Sequence, residues 1–140
     1  MIYLDANVFV LASLNAEEAG DRARLLLNDV QAGRVDAASS ALTFDELVWA
    51  VKRHRSVQDS ITAGEAFLNM SGLKLVAVNG DLLAIALGVM KEYNLDPRDA
   101  IHAASAQSEG AQIIVSADKH FDRLREVKRK EVYELSKDNS

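Results

Sequence analysis

The sequence predicts an α/β fold, with a mainly parallel sheet and helices on both of its faces. Three observations carry this expectation. Short apolar runs rich in Ile, Val and Leu alternate with segments of helical period along the chain. The connections between those runs are long enough to be crossovers, which join parallel rather than antiparallel strands. The chain has 140 residues, of which 49% are hydrophobic, so one domain with a sizeable core is expected.

The first strand spans 1–4 and is closed by Asp5. Asn7 follows, and Val8, Phe9, Val10 and Leu11 resume the apolar run. A helix over 17–31 puts Ala19, Ala23, Leu26, Leu27 and Val30 on one face, with Gly33 just beyond its end. A short second strand is expected at 35–39. The next helix, 41–54, carries Phe44, Leu47, Val48 and Val51 at the i, i+3, i+4, i+7 spacing of a buried stripe. A further helix follows at 57–70. "LKLVAV" at 73–78 reads as a strand, and Asn79 can cap a helix whose apolar face holds Leu82, Leu83, Ile85, Ala86, Val89 and Met90. In "DPRDAIHAASAQSEG", 96–110, Asp96 is a natural N-cap, Pro97 fits the first helical position and Gly110 ends the helix. "AQIIVSA" at 111–117 and "EVYEL" at 131–135 complete the expected strands. A single domain is expected over 1–135, with a frayed tail at 136–140.

Composition narrows the function classes. There is no cysteine, which excludes disulfides and cysteine-bound zinc. The N-terminus lacks a basic region followed by a long apolar run, and no stretch is long enough to span a bilayer. A soluble, cytoplasmic protein is the simplest expectation. The formal net charge of −5 does not by itself point to nucleic acid. Two basic clusters do stand out: "KRHR" at 52–55, and Lys119, Arg123, Arg125, Lys128, Arg129 and Lys130. Each reads either as a solvated helix face or as a contact for phosphates.

The carboxylates are the informative residues. In an open parallel sheet, ligands bind beyond the carboxyl ends of the strands. Asp5 closes the first strand and Asp118 follows "IIVSA", so the two share an edge if those strands are neighbours. Taken alone, Asp118 reads more readily as the N-cap of "KHFDRL". Asp99, three residues after Asp96, suits the positive end of a helix dipole but also points toward the same edge. His102 lies one turn on, where a packed or hydrogen-bonded role is the commoner one. Glu46 lies off the apolar stripe, on a face shared with Leu42, Trp49 and Arg53, whereas Asp45 sits at the flank and is expected to face solvent. Carboxylates gathered in one pocket repel, and either some take up protons or a cation neutralises them. An all-oxygen cluster without cysteine fits Mg²⁺ or Mn²⁺, which bind through a few carboxylates and substrate phosphate.

These motifs occur in a familiar order: "YLDANVFV" with Asp5, "SSALTFDELVWAV" with Glu46, "NLDPRDAIHAASA" with Asp99 and "IIVSADKHFDRL" with Asp118. Over nearly its whole length the chain resembles the PIN-domain ribonucleases, in particular the VapC-like toxins of prokaryotic toxin–antitoxin pairs. The resemblance implies a three-layer α/β/α sandwich and Mg²⁺- or Mn²⁺-dependent cleavage of RNA, leaving 5′-phosphate and 3′-hydroxyl ends. It implies Asp5, Glu46, Asp99 and Asp118 as the catalytic acids, with Asp5, Asp99 and Asp118 on the metal. Asn7 and Ser116 match supporting polar positions. Asp96, His102 and Asp122 are candidates for an outer layer around the acids. His120 stands where many relatives carry another acid, so either His120 or Asp122 is the candidate fifth ligand.

The implied partners are RNA, a cognate antitoxin and a second copy in a homodimer, with no membrane. Trp49 has two expected placements, packed under the neighbouring helix near Phe67 or Met70, or lining a groove that takes an antitoxin segment. Lys52 and Arg53 at the end of that face would guide RNA phosphates. The alternatives are an RNA-binding or regulatory PIN-like module without turnover and a phospho-acceptor signalling domain. The second would need an acceptor Asp ending its central strand, and "LKLVAVNGD" offers Asn79 before Asp81.

Overall fold

A computed structural model of the chain describes residues 1–138. Strands β1 (Ile2–Leu4), β2 (Ala37–Ser40), β3 (Leu73–Val76), β4 (Ile113–Val115) and β5 (Lys128–Lys130) form an all-parallel sheet in the spatial order β3–β2–β1–β4–β5. The helices are α1 (Ala6–Leu14), α2 (Glu18–Gln31), α3 (Leu42–His54), α4 (Val57–Leu68), α5 (Gly80–Tyr93), α6 (Pro97–Ser108) and α7 (Val132–Asp138), with a 3₁₀ turn at Lys119–Arg123. Because strand side chains alternate, neighbouring residues feed opposite layers. Tyr3, Ala38 and Ile114 pack with Leu82, Ala86 and Val89 of α5 and Ala100 and Ala103 of α6. Leu4, Ala37 and Val115 pack instead with Val8 and Phe9 of α1 and Leu26 and Val30 of α2. The result is the expected three-layer sandwich.

The chain builds from β1 outward through β2 to β3, then returns to lay β4 on the other side of β1. The strand order therefore reverses between β1 and β4, where Leu4 stands opposite Val115. Helices leaving the two strands on opposite sides of such a reversal open a crevice at the strands' carboxyl ends.

Local signals account for most boundaries. Asn79 Oδ1 accepts from Leu82 N at 3.0 Å and starts α5, as its sequence position predicts. Gly110, at φ +67°, takes the left-handed conformation that lets the chain leave α6 for β4. Asp96 occupies the N-cap position of α6 by its backbone, but its side chain makes no capping hydrogen bond.

Several expectations are corrected. Helix α1 was not foreseen, because its nine residues are apolar throughout most of their length and show no helical stripe. "EVYEL" is not a strand: Val132 begins α7, and the edge strand is the charged "KRK" of 128–130. An edge strand tolerates such charges, which hides it from any search for apolar alternation. Helix α7 continues through Asp138, past the expected start of the tail at 136, and residues 139–140 lie outside the described residues. Within the stripe on α3, Leu47 and Val51 are buried but Phe44 is partly exposed, lying over Gly64 of α4. On α5, Leu83 and Ile85 face outward rather than into the core. The second basic cluster is no helix face. Arg125 pairs with Glu92, Arg129 with Asp122 and Glu131, and Arg123 Nη1 donates to the Asn94 carbonyl.

Candidate active site

At the crevice between β1 and β4, four segments converge on an open pocket of about 510 Å³. Its walls include Asp5 and Asn7 from the β1–α1 junction, Glu46 and Trp49 from α3, Arg98 and Asp99 from the first turn of α6, and Asp118 from the segment after β4. The four acids proposed from sequence thus share one space, although they are far apart along the chain.

Asp5 answers to two structural demands at once. Its Oδ1 accepts from Ala6 N at 2.8 Å and caps α1, while its Oδ2 accepts from Ser116 Oγ at 2.6 Å. Ser116 Oγ in turn accepts from Asp118 N at 2.9 Å, so one hydroxyl sets the relative positions of two acids. Asn7 Oδ1 accepts from Ala117 N at 3.2 Å and pins the first turn of α1 to the same segment. Asp5 is only 8% exposed. Burial pushes its carboxyl above the ordinary range, nearby Glu46 adds to this, and His102 and Ser116 oppose it.

His102 lies at the centre of a buried chain of polar contacts and is 1% exposed. Its Nε2 donates to Glu46 Oε1 at 2.6 Å and stands 3.5 Å from Asp5 Oδ1. Its Nδ1 is 2.6 Å from the Tyr3 hydroxyl. Burial disfavours the imidazolium, but the Glu46 hydrogen bond and the charges of Asp5, Glu46 and Asp99 outweigh it and leave the imidazole pKa raised. Burial, and then the Asp5 charge, also push the Tyr3 hydroxyl up, so it stays protonated. His102 therefore backs two of the acids, hydrogen-bonded to Glu46 and within 3.5 Å of Asp5. Tyr3 was missed; its signal was the period-two spacing that puts it on the same side of the chain as Asp5.

A second group is more open. Asp99, Asp118 and His120 each present a ligand atom, and these atoms lie within 4.8 Å of one another. Burial, and then the negative charges of Asp118 and Asp5, push the Asp99 carboxyl up to about 6. His120 Nδ1 is 3.0 Å from Asp118 Oδ1 and 3.6 Å from Asp99 Oδ2. His120 thus joins the acids at the position where an extra acid was sought. Asp122 does not: its carboxylate is engaged by Arg129 at 2.9 Å, away from the pocket. Asp96 is exposed and also absent from the pocket wall.

The donor set fits a hard divalent cation. Burial first, and neighbouring carboxylates after it, raise the Asp5 and Asp99 carboxyl pKa values, and the available donors are carboxylate oxygens with one imidazole. A pH dependence follows for the chelator-treated protein. Asp5, Asp99 and His102 all have pKa values raised by folding, so between their unfolded and folded values the native state carries the extra protons. The contribution of these groups to stability is then lost as pH rises, for Asp99 through about 6. Melting temperature measured in chelator should fall from mildly acidic to neutral pH, and added Mg²⁺ should flatten the profile.

On the rim, Trp49 is 56% exposed, so it is not enclosed under the neighbouring helix. Lys52 Nζ stands 5.7 Å from the centre of its ring. Lys52 and Arg53 are exposed in the last turn of α3 but do not line the pocket. Asp45 is exposed, as expected, and sits at the pocket edge. Arg98, which does line the pocket, escaped the sequence reading, although it directly precedes a candidate acid in the first turn of α6.

The PIN domain family model matches residues 2–127. No curated protein matches the chain by sequence. Among solved structures, VapC20 of Mycobacterium tuberculosis, a sarcin–ricin-loop-cleaving toxin, aligns with a TM-score of 0.71 at 15% identity, covering 87% of this chain and 93% of that one. A chain of VapBC2 from Rickettsia felis, bound to a fragment of promoter DNA, aligns with a TM-score of 0.70 at 19% identity over 94% and 98%. A toxin–antitoxin complex from Klebsiella pneumoniae gives 0.63 at 20% identity over 91% and 95%. At these identities the likeness is one of fold. The family match spans most of the described sequence and needs no such likeness to support it: the chain belongs to the PIN-domain family.

Proposed function

We propose that the protein is a Mg²⁺- or Mn²⁺-dependent endoribonuclease, working in the cytoplasm as the toxin of a toxin–antitoxin pair. The observation that carries this reading is the convergence of Asp5, Glu46, Asp99 and Asp118 from four separate segments on one open pocket. Membership of the PIN family sets aside the phospho-acceptor alternative.

Asp5, Asp99 and Asp118 would hold the ion, with His120 beside the last two. When bound, such an ion activates water and neutralises charge on a phosphodiester under attack. The protein's own part is positioning. Ser116 fixes Asp5 and Asp118 relative to each other through its hydroxyl. His102 fixes the Glu46 carboxylate through the hydrogen bond from its Nε2. Arg98, on the same wall, is placed to pair with a phosphate oxygen of the RNA. The reading is tested by mapping product ends on RNA treated with purified protein. It requires 5′-phosphate and 3′-hydroxyl termini, and 2′,3′-cyclic phosphates would contradict it.

The partner reading is a cognate antitoxin, in keeping with related folds solved as toxin–antitoxin complexes; the homodimer rests on the family resemblance alone. Trp49, exposed beside the acids, is the natural aromatic anchor for an antitoxin segment. Trp49→Ala should therefore leave thermal stability within about 0.5 kcal/mol of wild type. It should weaken antitoxin binding by about 2 kcal/mol or more, the scale of an interface anchor. Calorimetry of wild type and Trp49→Ala with the antitoxin checks this. A loss of several kcal/mol of stability, with affinity unchanged, would retire the groove.

A further inference from the structure

Beside the acidic pocket lies a second cleft of about 260 Å³, lined by Asn7, Leu11, Ala19, Ala117, Glu131, Val132 and Tyr133. Asn7 and Ala117 line both spaces, so the cleft adjoins the acidic pocket. We propose that this cleft is a nucleobase subsite, in which an unpaired base bearing an exocyclic amino group stacks on Tyr133 while its phosphate lies at the acidic pocket. The proposal rests on the ribonuclease reading for the identity of the ligand.

The walls have the chemistry of a base and not of a phosphate. Leu11, Ala19 and Val132 supply an apolar lining, and Tyr133, 44% exposed as a residue, adds an aromatic ring to the wall. Unpaired bases bind proteins by stacking on such rings and by hydrogen bonds along their edges. Two polar groups border this apolar surface. Asn7 spends its Oδ1 on Ala117 N, which turns its amide NH₂ into the group available for donation. Glu131 offers a carboxylate that Arg129 Nη1 holds at 3.3 Å, with its side chain still 38% exposed. The same Arg129 Nη1 donates to the Ser116 carbonyl at 3.0 Å, so the cleft wall is tied to the strand end that carries the acids. A carboxylate on this wall repels a phosphate and directs it toward the acidic pocket, where a cation is expected. It also discriminates among bases. Adenine, cytosine and guanine can donate an exocyclic amino hydrogen to Glu131, whereas uracil has no amino group, offers only its single N3–H and sets the O4 beside it against the carboxylate.

The test has a binding arm and a cleavage arm. In the first, wild-type protein in Mg²⁺ is titrated with AMP, CMP, UMP and ribose 5-phosphate while NMR follows the Tyr133 ring and the Asn7 side chain. AMP and CMP should shift both sets of signals, and UMP and ribose 5-phosphate should need roughly tenfold more ligand or have no effect. Tyr133→Ala should weaken AMP binding about tenfold, within the range set by loss of one stacking contact. Tyr133→Phe should retain it, and Glu131→Gln should erase the preference for AMP over UMP. In the second arm, wild-type protein cuts a randomised single-stranded RNA pool. Amino-bearing bases should be enriched at one position next to the cut, and Tyr133→Ala should flatten that enrichment. Binding does not depend on turnover, so AMP seated at Tyr133 in a protein that cuts no RNA would overturn the ribonuclease reading and leave the subsite standing. Equal response to all four ligands, or shifts confined to the acidic pocket, would overturn the subsite. It would also be overturned if Tyr133→Ala weakened antitoxin binding while nucleotide binding stayed unchanged, since the cleft would then take a peptide.

Discussion

Asp5→Asn is expected to abolish RNA cleavage while the protein stays folded and, in chelator, melts at or above the wild-type temperature. Asp5 is buried at the edge of the core, and burial raises its carboxyl pKa. An acid held this way is unfavourable to the fold unless its charge is used. An Asn keeps the carbonyl oxygen that caps Ala6 N, and it removes the repulsion between Asp5 and its acidic neighbours. The attraction to His102 is lost at the same time, which limits the gain. Activity has no such offset. Changes in groups that merely orient metal ligands cost about 10–100-fold, so loss of a ligand should exceed that range. Asp118→Asn should behave in the same way. Asp45→Asn, at the exposed rim, should lose far less than Glu46→Gln, whose carboxylate His102 holds. A properly folded Asp5→Asn protein with wild-type activity would remove Asp5 from the site.

Addition of Mg²⁺ or Mn²⁺ to chelator-stripped protein should raise the melting temperature by roughly 8 °C at about 100 times the dissociation constant. An ion that binds only the folded cluster stabilises it by about 2.7 kcal/mol at that ratio. For a chain of this size each kcal/mol moves the midpoint by about 3 °C. The physical source is the repulsion already visible at Asp99, whose pKa near 6 reflects burial and its neighbours Asp118 and Asp5. The shift should disappear in Asp118→Asn and shrink in His120→Ala, because both residues belong to the open group of ligand atoms. Calcium should raise the midpoint without supporting cleavage, since its larger and looser shell positions water poorly. An unchanged midpoint across all three ions would count against the cluster as a cation site.

Much of this was legible because the relevant signals are local. Asp5 stands out as an acid closing an apolar strand, and Glu46 as an acid off the apolar stripe of its helix. Period alone separated Trp49 from that stripe, and its exposure agrees. Convergence of the acids is a property of strand order, which no local pattern encodes. It became an expectation through the ordered motifs and is realised because β4 lies beside β1. The misses also have physical causes. Helix α1 is apolar on nearly every side, and β5 is a charged edge strand, so neither shows the period on which a sequence reading depends. The choice between His120 and Asp122 turned on which way a 3₁₀ turn faces. Asp122 is drawn away from the acids by Arg129, a partner on a strand the sequence did not reveal, while Asp118 caps His120 N beside them. Arg98 and Tyr3 went unremarked because an arginine in a first turn and a tyrosine in a strand are ordinary until the acids beside them are seen in place.

The central claim is that the acids gathered at the β1–β4 crevice hold a divalent ion that RNA cleavage requires. The most direct measurement is cleavage of one RNA by wild-type and Asp5→Asn protein, purified side by side, assayed after exhaustive chelation and again after Mg²⁺ is restored. The predicted result is that wild type loses cleavage on chelation and regains it with Mg²⁺, while Asp5→Asn stays inactive throughout. Cleavage by chelated wild-type protein, or full recovery of Asp5→Asn at the same Mg²⁺ concentration, would contradict it.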